Sequence, residues 1–356
     1  MTVGRVHEAE TAAGVVRDAP VAAAAAPAPP PHVPLASAAS AAAEPSPGAE
    51  REGGPATWSS GHAFSDLWWR RAALWGFRNV PESLLGAAVP AVASAVAAFL
   101  PEVRAAVAAN LARVMGPAGA LRTQWRVHRV FQSFADVLAT AYIMYAVGRS
   151  RVRQQVHQGV HYIEEALRHG RGAIVGTAHL GSWHVGSHAL ERFGVPVNVV
   201  MAHEPDSRVQ SMIEGMRDQK LNVIYSTGSV FSSLAARSAL QRGEIVAMQV
   251  DRLMGNGAME VDFFAQPARF PTGPVVLART TGAPIIPAFA VRLPDGAHLF
   301  AAEAPVVVRT TRDRESDVRD ALERVAGHLE AWIRRYPYQW FNFYPFWGQA
   351  PATDAR

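Results

Sequence analysis

Apolar residues between 122 and 147 recur at helical spacing. Val127, Val130, Phe131, Phe134, Val137, Leu138 and Ala141 fall on one stripe. The spacing predicts a helix that packs this stripe into a core. Further helices are predicted over 103–115, 162–169, 185–193, 208–220, 230–242 and 316–336. Between them lie apolar runs too short for helices and rich in β-branched residues. These runs, 173–176, 197–201, 222–225, 245–250, 285–291 and 305–308, read as strands. Strands alternating with helices from 151 onward predict an α/β fold, with a mainly parallel sheet flanked by helices.

The N-terminal third follows another pattern. Residues 1–57 are rich in Ala, Pro, Gly and Glu, and Pro27, Pro29, Pro30 and Pro31 stop any helix there. With so little bulky apolar content this stretch is expected to be a disordered tail, dispensable for catalysis. It has no compact apolar core behind a basic start, so it does not read as a secretory signal. Order is expected from near Phe64. Trp68, Trp69 and Trp75 then stand among Arg70, Arg71 and Arg78. Tryptophan and arginine together suit a membrane–water interface, with the arginines toward lipid phosphates. A core helix with arginines snorkelling to water accounts for the same residues.

Residues 83–101 carry no charge, a length that reaches the threshold of a membrane span. Alanine dominates, however, and Gly86, Pro90 and Ser94 weaken the stretch. An interfacial or re-entrant element, or a buried helix, is expected rather than a stable span. The resulting organisation is a disordered tail 1–57, a helical membrane-associating region 58–150, an α/β catalytic region 151–348 and a flexible tail 349–356.

Composition narrows the chemistry. The chain has no cysteine, which excludes disulfides, thiolate zinc sites and a cysteine nucleophile. Its net charge of +4 suits an anionic membrane or an acidic carrier protein and is too small to argue for nucleic acid. The candidate chemistry centres on His179. The run 173–176 delivers it, through a glycine turn at Gly181, to the start of a predicted helix. An imidazole at the C-terminal end of a buried strand is well placed for general-base work. Backbone N–H groups around Gly181 and Ser182 would suit an oxyanion if they lie at a helix N-terminus. A second reading takes His179, His184, His188 and His203 as metal ligands, with Glu204 or Asp206. His184 and His188 are one helical turn apart, so this would make a metallohydrolase or metal-binding protein.

Several signals also stand in a characteristic order. Gly170-Arg171-Gly172 leads into His179-Leu180-Gly181-Ser182-Trp183, and Arg217 follows on a helical stretch. Leu240-Gln241-Arg242-Gly243-Glu244 then precedes a strand ending at Asp251. Val261-Asp262-Phe263-Phe264, Phe270-Pro271-Thr272-Gly273-Pro274, Thr281-Gly282-Ala283-Pro284-Ile285-Ile286-Pro287 and Gln339-Trp340-Phe341 complete the series. Over roughly residues 64–348 the chain resembles the lysophospholipid acyltransferase superfamily, in its lipid A biosynthesis (late acyltransferase) branch.

The resemblance implies a membrane-associated O-acyltransferase. It would move a fatty acyl chain from acyl carrier protein or acyl-CoA to a hydroxyl of a lipid or glycolipid acceptor. The site would lie at the cytoplasmic face of a bacterial inner membrane, with no cofactor and no metal. By position the base is His179, while Arg217 and Asp251 match active-site positions. Gly181, Ser182, Trp183, Thr272 and Gly273 are the expected substrate-binding residues. The family has an acidic residue five places after its histidine, and here that place holds His184. His184 is expected to be a neutral hydrogen-bond acceptor for His179. The alternatives are that another acid, Asp251, Glu204 or Asp206, takes the role, or that the chain is a catalytically impaired lipid-binding relative.

Overall fold

Pro101–Met115 shows how the helical region is encoded. Pro101 opens the helix at a position that needs no N–H donor, and Glu102 and Arg113 oppose the helix dipole at its two ends. Gly116, at φ 78°, ends it. Its buried face is Val103, Ala106, Val107, Asn110, Leu111 and Val114, spaced by three and four residues. With Glu82–Ala98 as α1, this helix is α2 and Ala120–Val147 is α3. The predicted stripe of α3 is buried at Val127, Val130, Phe131, Val137 and Ala141, whereas Leu138 is 40% exposed.

The computed structural model describes residues 71, 75–80, 82–147, 155–203, 206–216, 221–226, 230–253 and 257–348. The expected tails 1–57 and 349–356, and Trp68, Trp69 and Arg70, lie outside the described residues. Among the described residues no single helix is long and apolar enough to cross a membrane. Ala88–Ala98 and Pro101–Met115 pass that test only as a pair bent by 100°.

The α/β region is a seven-stranded sheet in the order β1-β9-β8-β2-β5-β3-β4. Its strands are Gln155–Gln158 (β1), Ala173–Thr177 (β2), Val197–Ala202 (β3), Leu221–Ser226 (β4), Ile245–Gln249 (β5), Ile285–Arg292 (β8) and His298–Ala302 (β9). All neighbours are parallel except β8 and β9. Strand alternation splits the core in two. Ile174, Val246 and Ile285 face Val230–Gln241, Gly273–Thr281 and Arg314–Arg335. Val175 and Ile286 face His161–Arg168 (α4) and Trp183–Leu190 (α5). Burial on both faces explains why β2 and β8 read as continuous apolar runs.

The strand expected over 305–308 does not form. Only Val306 pairs, exchanging both backbone hydrogen bonds with Ile285. Three features went unanticipated: β1, the antiparallel β9, and a hairpin of Ala258–Phe263 (β6) and Gln266–Pro271 (β7). The hairpin turn is Phe264-Ala265, with φ 53° and 55°. Tight two-residue turns require such angles, and glycine or asparagine usually supplies them. Phe264 is held in place by its ring contacts with Phe263 and Trp347. Ala265 is exposed and has no such support. Ala265→Gly should therefore raise unfolding stability by about 1 kcal/mol, read by denaturant melts.

Candidate active site

The register between β2 and β5 runs from Ala173 opposite Ile245 to Thr177 opposite Gln249, and Val250 N–H continues it by donating to Thr177 O at 2.8 Å. Extended by two residues, the same register sets His179 against Asp251. His179 Nδ1 lies 2.7 Å from Asp251 Oδ1, and the His179 backbone N–H donates to Oδ2 at 3.0 Å. The Asp251 side chain is fully buried, while that of His179 keeps 19% of its surface exposed. A carboxylate accepting from Nδ1–H fixes the tautomer and leaves Nε2 as the basic nitrogen.

β2 and β8 pair as far as Gly176 opposite Pro287, and contact resumes at Gly181 opposite Ala290. Five steps on one strand thus oppose three on the other, and the two extra residues push the His179 turn outward, as bulges beside active sites do. Gly181 permits this. Its φ is 70°, and a Cβ there would sit 2.0 Å from Ala290 O. A C-terminal segment closes the turn: Leu180 bridges Trp340, Gly181 N–H donates to Gln339 O at 2.9 Å and Phe341 N–H to His179 O at 2.8 Å.

This strip, 338–343, leaves the 3-10 turn Pro337–Gln339, and from Trp340 to Phe343 its side chains alternate as those of extended chain do. Trp340 Nε1–H and Asn342 Nδ2–H each donate to Asp251 Oδ2 at 3.2 Å. Phe341 and Phe343 point the other way, onto Phe134 and Phe131 of α3. Asn110 of α2 ties the strip down, donating to Asn342 O and Tyr344 O and accepting from Phe346 N–H. Arg252 donates to Asn342 Oδ1 at 3.0 Å and Phe341 O at 2.7 Å. Sequence reasoning missed Arg252 and Asn342, and saw Trp340 only within the closing Gln339-Trp340-Phe341 motif, with no role assigned to it. The available signal was the alternation of 340 and 342 against 341 and 343.

Electrostatics follow from this enclosure. Burial pushes the Asp251 carboxyl up, but the His179 charge and hydrogen bond, with the Arg252 charge, hold it well below the usual carboxylate range. Burial pushes His179 down. Asp251 opposes that and Arg252 adds to it, leaving the imidazole below its ordinary value.

His184 does not take the place expected for it, because Asp251 occupies His179 Nδ1. Its ring packs on Trp183, tilted by 33° with centroids 3.8 Å apart, and burial pushes its pKa down to about 3. The N–H groups of Gly181 and Ser182 are likewise committed, to Gln339 O and Ala290 O, so neither serves an oxyanion. The Ser182 side chain caps α5 instead. Thr272 and Gly273 stand at the start of Gly273–Thr281, where Thr272 N–H donates to Gly257 O at 3.0 Å. Among the described residues neither bonds to His179 or Asp251. Arg217 and Glu204 lie outside the described residues.

The histidines of the metal reading are dispersed. His188 pairs with Glu191, His203 meets the Tyr225 ring and Asp206 meets Arg208. Among the described residues no group of three or more His, Asp or Glu is placed to hold a metal ion.

Beside the His179 turn, between α5 and the sheet, lies an apolar cavity of about 130 Å³. Ala247, Ala288 and Ala290 line it from the strands and Gly186 and Leu190 from α5, and Thr177, Leu180, Ser182 and Trp183 carry it to the turn. Small residues on both walls leave this space open.

The sequence model of the family described as bacterial lipid A biosynthesis acyltransferase matches residues 60–349. Two similar proteins are named phosphatidylinositol mannoside acyltransferase. The one from Mycolicibacterium smegmatis is 27% identical over 252 residues, covering 69% of this chain and 80% of the relative. The one from Mycobacterium tuberculosis strain H37Rv is 25% identical over 254 residues, covering 69% and 78%.

Proposed function

The chain belongs to the bacterial lipid A biosynthesis acyltransferase family and is an acyltransferase, and from that premise we propose that it moves a fatty acyl chain from a thioester to a hydroxyl of a glycolipid. The observation that carries this reading is the His179–Asp251 pair set beside an apolar cavity. An alcohol is a poor nucleophile at neutral pH. His179 Nε2 takes its proton as the oxygen attacks the thioester carbonyl. The tetrahedral intermediate collapses, the C–S bond breaks, and the leaving thiolate receives the proton back from the imidazolium. Asp251 balances the imidazolium charge throughout. Arg252, whose charge acts on both members of the pair, helps keep Asp251 ionised and His179 neutral before the reaction.

The donor is acyl carrier protein or acyl-CoA, and the acceptor is a lipid with a sugar headgroup, the class that the relatives' names point to. The test combines the purified chain, an acyl thioester and a glycolipid acceptor, with thiol release and product mass read together. Thiol release without an acylated lipid would leave a thioesterase and sink the transferase reading.

The cavity takes the end of the acyl chain; spaces of this size hold about one benzene-sized group. Ala247→Leu fills it. Each methylene denied burial costs about 0.8 kcal/mol, or about fourfold. Turnover of the longest accepted chain should fall about tenfold or more, while a shorter chain keeps its rate. Equal loss on all chain lengths would place the acyl chain elsewhere.

Membrane association rests on α1. Its outward face is Leu84, Ala88, Ala91, Val92, Ala95 and Ala98, continued by Phe99, with no charge on it. Phe99 is 80% exposed, and Trp75, Arg71 and Arg78 are exposed nearby in sequence. Water is a poor solvent for such a face, and a lipid surface accommodates it. The double variant Val92→Glu, Phe99→Glu should lower partition onto anionic vesicles about tenfold or more. Unchanged partition would remove α1 from the docking surface. We place this surface, in the proposed function, at the cytoplasmic face of a bacterial inner membrane.

A further inference from the structure

Asp251 is fully buried and yet ionic, so something must replace its water. A carboxylate has about four lone-pair sites. Four donors surround it here: the His179 ring N–H at Oδ1, and the His179 backbone N–H, the Trp340 indole N–H and the Asn342 amide N–H, which share Oδ2. Two of the four come from the strip 338–343. The Asn342 amide is oriented by its other end, because Oδ1 accepts from Arg252 and so Nδ2–H must face Asp251. The Trp340 indole is fixed by Phe346 at 5.1 Å, Trp347 at 6.0 Å and Phe263 at 6.2 Å.

We propose that Trp340 and Asn342 are positioning residues of the reaction, which act through Asp251 by holding its carboxylate as an ion aimed at His179 Nδ1–H. Neither touches the reacting atoms, and the inference rests on the acyltransfer reading above. Removing either donor leaves Asp251 a more basic carboxylate. The His179–Asp251 pair then keeps its proton to higher pH, and neutral His179 appears later as pH rises. The acid limb of the rate profile therefore moves upward. One hydrogen bond to a charged group corresponds to about one pH unit.

The experiment compares wild type, Trp340→Phe, Asn342→Leu and His179→Ala in the full chain. Melting temperature, kcat, KM and the pH profile are read for each. Trp340→Phe and Asn342→Leu should each lose about tenfold to a hundredfold in kcat with KM nearly constant, and each acid limb should move up by about one unit. Folded variants that keep the wild-type kcat and acid limb overturn the proposal and make the two residues packing elements only. An active His179→Ala protein overturns the acyltransfer mechanism itself, a separate failure. Should the two donor variants not fold, the indole N–H resonance of Trp340 in the wild type decides. It should shift with pH along the activity limb, and a resonance flat across that limb overturns the proposal.

Discussion

His179→Ala is expected to lower acyl transfer at least about a thousandfold while the protein still folds. General-base assistance contributes about a hundredfold to ten-thousandfold. In the proposed mechanism the base also returns the proton to the leaving thiolate, so two steps would be lost together. The fold should survive because His179 stands on a turn held by backbone pairing: Leu180 to Trp340, Gly181 to Gln339, Ser182 to Ala290. None of those bonds needs the imidazole. Normal thiol release by a folded His179→Ala protein would refute the assignment.

Asp251→Asn should cost about a thousandfold to ten-thousandfold in kcat, the scale of losing the carboxylate partner of a catalytic histidine. An amide at 251 offers Nδ1–H of His179 a weaker acceptor and leaves the imidazolium without a counter-charge. His184→Ala should cost far less. A ring whose pKa burial has pushed to about 3 is neutral, packs on Trp183 and leaves Nδ1 of His179 to Asp251. The reverse pattern, a crippled His184→Ala beside an active Asp251→Asn, would reinstate the local pairing.

The pH profile gives an independent check on the same pair. In the proposed mechanism the competent base is neutral His179, so activity should fall as pH drops through the pKa of the pair. Burial holds that imidazole below its ordinary value. Wild-type transfer should therefore persist below about pH 6.5, where an unperturbed histidine is already half protonated. A limb at or above pH 7 would contradict the enclosure described here.

What the sequence revealed depended on how local the cause was. The central strands β2, β3, β5 and β8 were legible because helices cover both sheet faces, which leaves largely apolar runs, broken in β3 by the buried Asn198. β1 was not, since Gln155–Gln158 is a short edge strand, mostly exposed. The β6–β7 hairpin was hidden by its turn, which uses Phe264 and Ala265 where a reader looks for Asn-Gly. At the site, His179 was legible as a strand-end histidine. Its partner was sought five residues on because a motif is read along the chain. Asp251 lies 72 residues away, an offset set by the β2–β5 register. Asp251 was among the acids considered, but no local spacing ranked it above Glu204 or His184. Asn342 and Arg252 were invisible for the same reason.

The two-sided strip 338–343 also decides how mutations in this chain will be interpreted. Phe343 packs on Phe131 and Asn110 bonds to the strip's backbone, and none of the three approaches a substrate hydroxyl. A substitution that loosens any of them lets Trp340 and Asn342 drift from Asp251. In a random screen for lost transfer, hits at Phe131 and Asn110 would be blamed on failed membrane binding, because they lie in the helical region. Vesicle partition measured beside turnover separates the two: such variants should dock normally and still turn over slowly. A residue constrained from both faces tolerates few replacements, so this buried strip should resist change far more than the exposed loops of the fold.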